Sequence, residues 1–136
     1  MDISQYLKTA GLNFREEKGE AWINLEVRNL HDVLAHLKQN GLSRLSAISG
    51  VDVGKDIELI YHVFSDSYYV NIRVSLPKKK LEIKTVTGIY PGANLFEREV
   101  AEMLGVNVLG HPNLQGLFLN ENSPKNPLRK DSEEKK

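Results

Sequence analysis

DIELIYHVFSDSYYVNIRVSL, residues 56–76, holds two runs rich in β-branched and aromatic side chains, Asp56–Phe64 and Tyr68–Leu76, separated by Ser65-Asp66-Ser67. Such composition fits a pleated, half-buried surface and predicts two strands. In the second run Val70, Ile72, Val74 and Leu76 alternate with Tyr69, Asn71, Arg73 and Ser75. One face is therefore apolar and the other partly polar. The connection is too short for a parallel crossover, so the pair is expected to be antiparallel. A sheet organised on a hairpin, without long βα crossovers, argues against a doubly wound nucleotide fold.

Upstream of the hairpin, Arg44–Ser49 reads as a short strand, and Gly50-Val51-Asp52-Val53-Gly54 as a turn region bounded by two glycines. Leu30, Val33, Leu34 and Leu37 form the apolar stripe of a helix that runs to Gln39. Asn29 stands at its cap position, Asp32 lies in its first turn, and Asn40-Gly41 stops it. Leu12–Glu16 and Glu20–Arg28 read as strands joined by a tight turn at Lys18-Gly19, and Asp2–Ala10 as a short first helix.

Downstream, Leu81–Val86 reads as a further strand behind Pro77 and Lys78-Lys79-Lys80. That basic run is expected to be a solvated edge that discourages strand association, with contact to an acidic protein neighbour as the alternative. Tyr90-Pro91-Gly92-Ala93-Asn94 breaks the pattern. Asn94 can cap a helix over Leu95–Leu104, with Glu97 three residues on in a capping-box position, and Gly105 is the expected left-handed stop. From Gly110 onward there are three prolines, four asparagines and only five strongly apolar side chains, Leu114, Leu117, Phe118, Leu119 and Leu128. Such a segment cannot build a second core. The reading is an α+β fold: a compact domain over residues 1–108, with a mixed or mainly antiparallel sheet and packed helices, and an extended C-terminal tail over 109–136.

Composition removes whole classes of function. The 136 residues carry 18 Lys+Arg against 18 Asp+Glu and no cysteine. Disulfides, thiolate iron–sulfur ligation, cysteine zinc sites and a cysteine nucleophile are excluded within this chain. A neutral sum gives no support for nucleic-acid binding through phosphates. Met1–Glu17 has neither a basic head nor an apolar run, so no secretory signal is expected, and no run approaches the roughly 20 apolar residues of a membrane span. Neither GxGxxG, GxxxxGK[ST] nor GxSxG occurs. His31, His36, His62 and His111 lack metal-ligand spacing, and His62 is expected to be a satisfied strand residue. Glu97 and Glu99 diverge by about 160° on a helix, so they do not form a shared acid/base pair. A tail that cannot bury itself, yet has spaced apolar anchors, suits a subunit that lies across another protein.

Residues 85–131, TVTGIYPGANLFEREVAEMLGVNVLGHPNLQGLFLNENSPKNPLRKD, resemble the signature of the 30 kDa (C) subunit family of respiratory complex I and its counterparts in energy-converting membrane-bound hydrogenases. Pro91, Ala93 and Asn94, Glu97-Arg98-Glu99, Gly105, Gly110-His111-Pro112 and Pro127-Leu128-Arg129-Lys130-Asp131 carry the match in order. The resemblance implies a C-terminal segment wrapped on a large subunit, which holds the quinone site in complex I or the nickel–iron ([NiFe]) centre in hydrogenases. An adjoining small subunit holds an iron–sulfur cluster. The chain itself is then a non-catalytic structural subunit that binds no redox cofactor, metal or nucleic acid. Its expected place is the cytoplasmic side of a membrane, held peripherally through integral subunits.

Three departures bear on membership. Leu95-Phe96 stand where quinone-type members usually have Trp-His, Ala101-Glu102 where they commonly have Tyr-Asp, and Gln115-Gly116 where they have two arginines. These favour the [NiFe] hydrogenase branch, with the C subunit of an NADH/quinone-type oxidoreductase as the alternative and a free-standing protein-binding domain as a third reading. The expected partner-interface residues are Glu97, Arg98 and Glu99, then His111-Pro112 holding the turn into the tail. Leu114, Leu117 and Phe118 are expected as apolar anchors, and Arg129 as a pin at the far end.

Overall fold

The computed structural model, which describes residues 3–9, 12, 14–66 and 68–112, begins with helix α1 (Ile3–Thr9), strands β1 (Phe14–Glu17) and β2 (Glu20–Leu25), and helix α2 (Leu30–Gln39). Strands β3 (Arg44–Asp52), β4 (Asp56–Phe64) and β5 (Tyr69–Pro77) follow, then β6 (Glu82–Lys84), helix α3 (Ala93–Leu104) and β7 (Asn107–Leu109). Five strands form one sheet in the order β1-β2-β5-β4-β3. Its pairs are antiparallel except β2 with β5, and β6 with β7 makes a separate parallel ribbon. The architecture is α+β, as the alternation and helix periodicity predict, and of the mixed or mainly antiparallel sheet expected, the parallel β2–β5 pair makes it mixed.

Alternation sorts the side chains. On β4, Ile57, Leu59, Tyr61 and Val63 point into the core, and opposite them Val70, Ile72, Val74 and Leu76 of β5 do the same. Leu30, Val33, Leu34 and Leu37 supply the buried stripe of α2, and Leu7 that of α1. Each such leucine contributes about 2 kcal/mol by leaving water. A seven-residue helix is marginal alone; α1 is held by Leu7 and by the Leu12 N–H, which donates to the Leu7 carbonyl at 3.1 Å.

Several local expectations change. The strand expected over Glu20–Arg28 ends at Leu25, because Val27–Asn29 wind into a 3-10 turn that leads into α2. Asn29 precedes that helix but makes no side-chain capping bond. Gly50, Val51 and Asp52 belong to β3, not to a turn. Gly50 is a strand glycine because α3 packs on it: a Cβ there would collide with Leu104 Cδ1. The turn is instead closed by Asp52, whose Oδ1 accepts the Gly54 N–H at 2.8 Å. Lys78 is no solvated edge residue. It donates to the buried Asp52 Oδ2 at 2.8 Å, while Lys79 and Lys80 are exposed. The strand expected over Leu81–Val86 is Glu82–Lys84: it starts one residue late, after the 3-10 turn at Lys78–Lys80, and ends where Thr85 and Val86 bond Glu97.

Candidate functional site

The described part of the signature segment, residues 85–112, is built around helix α3. Pro91 and Gly92 interrupt regular structure, and Tyr90 fixes the approach: its ring is buried and its hydroxyl donates to the Leu42 carbonyl at 2.7 Å. Burial pushes the Tyr90 phenol up to about 12. The helix starts at Ala93, one residue before the expected cap, and Asn94 makes no capping bond. Its Oδ1 is buried without a hydrogen-bond partner among the described residues. Gly105 does terminate the helix, at φ 79°, with its N–H on the Ala101 carbonyl at 2.9 Å.

Glu97 is the reason Asn94 has no capping-box partner. Ala93, Glu97, Val100 and Leu104 are the buried positions of α3, so the carboxylate faces inward with the apolar stripe. There it accepts the Thr85 hydroxyl at 2.6 Å and the Val86 N–H at 2.8 Å. The fully buried His111 ring lies against the same group, with Nε2 3.7 Å from Oε1. That nitrogen donates to the Asn94 carbonyl at 3.0 Å, since a carbonyl oxygen can only accept. Gly110, at φ 78°, turns the chain so that the ring can enter. Burial, and secondarily the Glu97 charge, raise the Tyr61 phenol well above its ordinary value.

Thr85, Glu97 and His111, from the end of β6, from α3 and from the turn after β7, thus meet at one buried point. Arg98 and Glu99 are not part of that cluster: Arg98 is half-buried and Glu99 exposed. Glu99 borders a groove of about 460 Å³ between β3 and α3, with Phe96, Met103 and Gly50 among its walls. Pro112 is exposed. Leu114, Leu117, Phe118 and Arg129 lie outside the described residues. Sequence reasoning misses Thr85 and Tyr90; hydroxyls reaching distant partners leave no spacing signal.

His62 is the satisfied strand residue expected. Its Nδ1 donates to Asn71 Oδ1 at 2.7 Å, and its Nε2 accepts the Ser49 hydroxyl at 2.9 Å. Asn71 in turn donates to Glu20 at 2.9 Å, completing a polar chain across four strands. Among the described residues, no cluster of three or more histidines or carboxylates could hold a metal ion, and no helix is long and apolar enough to cross a membrane.

The chain is similar in sequence and in fold to known proteins. The C subunit of NADH-quinone oxidoreductase from Mesorhizobium japonicum is 34% identical over 122 residues, covering 83% of this chain and 60% of that protein. Its counterpart from Moorella thermoacetica is 31% identical, covering 88% of this chain and 93% of that one. The fold matches a chain of the membrane-bound sulfane sulfur reductase, an archaeal respiratory membrane complex, with a TM-score of 0.85 at 24% identity, over 95% of this chain and 82% of the other. A trypsin-resistant fragment of Nqo5 matches with a TM-score of 0.72 at 25% identity, over 82% and 96% of the two chains. The family model described as "Respiratory-chain NADH dehydrogenase, 30 Kd subunit" matches residues 23–136, and the chain belongs to that family.

Proposed function

We propose that the chain is a non-catalytic structural subunit of a membrane-bound, ion-coupled redox complex, where it positions the large catalytic subunit and the iron–sulfur cluster subunit. The contact of Glu97 with His111 carries this reading. One buried carboxylate ties α3 to the Thr85-Val86 segment, and the ring beside it sets the direction in which the chain leaves at Pro112. A fixed exit removes the ordering cost only at the start of a C-terminal segment that reaches a neighbour. In this reading Leu114, Leu117 and Phe118 anchor that segment on the large subunit, and Arg129 pins its end. Arg98 and Glu99 present charge on the outer side of α3, where the guanidinium fork of Arg98 suits a bidentate clasp on a partner carboxylate. The chain then holds no redox cofactor. A quinone site or [NiFe] centre and the iron–sulfur clusters belong to partner subunits, and the membrane is reached through integral subunits on the cytoplasmic side.

The relatives are named as C subunits of NADH-quinone oxidoreductases, which favours a quinone-type complex. Leu95-Phe96, Ala101-Glu102 and Gln115-Gly116 depart from the quinone-type pattern and favour the hydrogenase branch; Leu95, at the Trp position of that pattern, is 54% exposed. Affinity purification from native membranes with a nickel assay separates the two, since nickel selects the hydrogenase. In the same preparation Arg98→Ala is expected to lower recovery of partner subunits about tenfold, with an unchanged urea midpoint for the isolated chain. Full recovery of partners with the variant overturns the role given to Arg98.

A further inference from the structure

Among the described residues the ribbon of β6 and β7 has two strands, so one edge of β6 has no described strand on it. Backbone geometry shows which groups that edge carries. The Leu81 carbonyl accepts the Asn107 N–H at 2.8 Å, and the Thr85 N–H donates to the Leu109 carbonyl at 2.8 Å. In a parallel ladder alternate residues turn both backbone groups to the same neighbour. The backbone groups of Leu81 and Ile83 and the Thr85 N–H therefore face β7, and the N–H and carbonyl groups of Glu82 and Lys84 face away from it.

They face a groove of about 540 Å³, between the end of β5, the 3-10 turn at Val27–Asn29 and β6. All three residues of β6 line it, which a strand does when it offers its edge instead of one face. Val27, Leu76, Ile83 and Leu109 give the groove apolar walls, and Val27 and Leu109 are 38% and 42% exposed. Arg28, Lys80 and Lys84 form a cationic rim, with Glu82 the carboxylate among the lining residues. Arg28 is paired with Glu26 at 2.9 Å on the surface. Lys80 and Lys84 have no ion-pair partner among the described residues. His31 also lines the groove, and its Nε2 donates to the Thr85 carbonyl at 2.9 Å, fixing the wall behind β6.

We propose that this groove is a strand-addition site for an extended, acidic segment of a partner protein, which pairs with the edge of β6 and sets its carboxylates against Lys80 and Lys84. Strand addition takes affinity from main-chain bonds and specificity from what flanks the edge, and here the flank is apolar below and positive above. The chain's own residues 113–136 are the other nearby candidate, because the described chain ends three residues after Leu109. They carry five Lys+Arg against four Asp+Glu, a sum that does not complement a cationic rim. An acidic segment of a different chain does. With β6 three residues long, the paired edge spans roughly 10 Å at about 3.3 Å per residue, which makes it one patch of a larger interface.

The inference rests on the assembly reading, and the test separates the two. In the native complex carrying p-benzoylphenylalanine at position 27, irradiation is expected to join that position to an acid-rich stretch of another subunit. Amide exchange at Glu82 and Lys84 is expected to be at least about tenfold slower in the complex than in the isolated full-length chain. Lys80→Glu with Lys84→Glu, both on exposed side chains, is expected to abolish that protection while leaving the urea midpoint of the isolated chain unchanged. Cross-links to residues 113–136, to lipid or to nothing overturn the proposal while leaving the assembly reading in place, provided partners still co-purify. Unchanged protection in the double variant overturns it in the same way. If the unaltered chain co-purifies with no partner, both fall. Should the double variant fail to fold, the position-27 cross-link alone decides.

Discussion

Taking a carboxylate out of water costs several kcal/mol unless donors replace the lost solvent, and Glu97 sits among such donors. A hydroxyl, a backbone N–H and a nearby imidazole surround it, 2% exposed. Glu97→Ala is expected to cost about 3 kcal/mol, because the buried Val86 N–H loses its acceptor and the two charge-assisted bonds disappear. Glu97→Gln is expected to cost far less. Its carbonyl can accept the Val86 N–H, while the Thr85 hydroxyl rotates to accept from the amide. Urea denaturation of both variants checks the order; equal and small losses refute a buried anchoring role. Sequence alone places Glu97 in the right motif but not on the right side of the helix. Glu97-Arg98-Glu99 reads as a surface triplet, and the inward turn of its first carboxylate depends on donors twelve and eleven residues upstream.

At the scale of elements, the helix ends and hairpins follow local chemistry closely. Lys18-Gly19, with both residues at positive φ, makes the tight turn expected between β1 and β2. Gly105 ends α3 where a left-handed residue is needed. Gly105→Ala is expected to lower stability by about 1 kcal/mol, whereas Gly88→Ala, which meets open space, should be close to neutral. Comparing the two urea midpoints tests the cap directly. Elements that depend on distant packing are harder to read. From sequence, β3 stops short of Gly50 because a glycine pair looks like a turn, yet the missing side chain makes room for Leu104. Lys78 reads as solvated because nothing nearby in sequence announces Asp52.

For the molecule as a whole, three phenols tie stability to alkaline pH. Tyr61, Tyr90 and Tyr6 all have raised pKa values, with burial the first cause in each. A phenol that ionises near 10 when unfolded and near 12 when folded, as Tyr90 does, leaves the unfolded chain with fewer protons above pH 10. Its contribution is complete below pH 10 and is lost between 10 and about 12, at up to about 1.4 kcal/mol per pH unit. Urea midpoints taken from pH 8 to 11 should therefore fall above 10. Tyr90→Phe should flatten part of that fall, after an initial loss of about 1 kcal/mol from the unpaired Leu42 carbonyl. An unchanged slope would remove Tyr90 from the account. The α+β class, the central hairpin, the amphipathic helices and the family signature are legible in the residue order alone, because each is written in periodicity, turn residues or motif order over short range. Three features come from the folded chain alone: the parallel join of β2 to β5, the inward course of Glu97 to meet His111, and the edge of β6 that no described strand covers. Each of those rests on groups brought together from far along the chain, where spacing in sequence says nothing about distance in space.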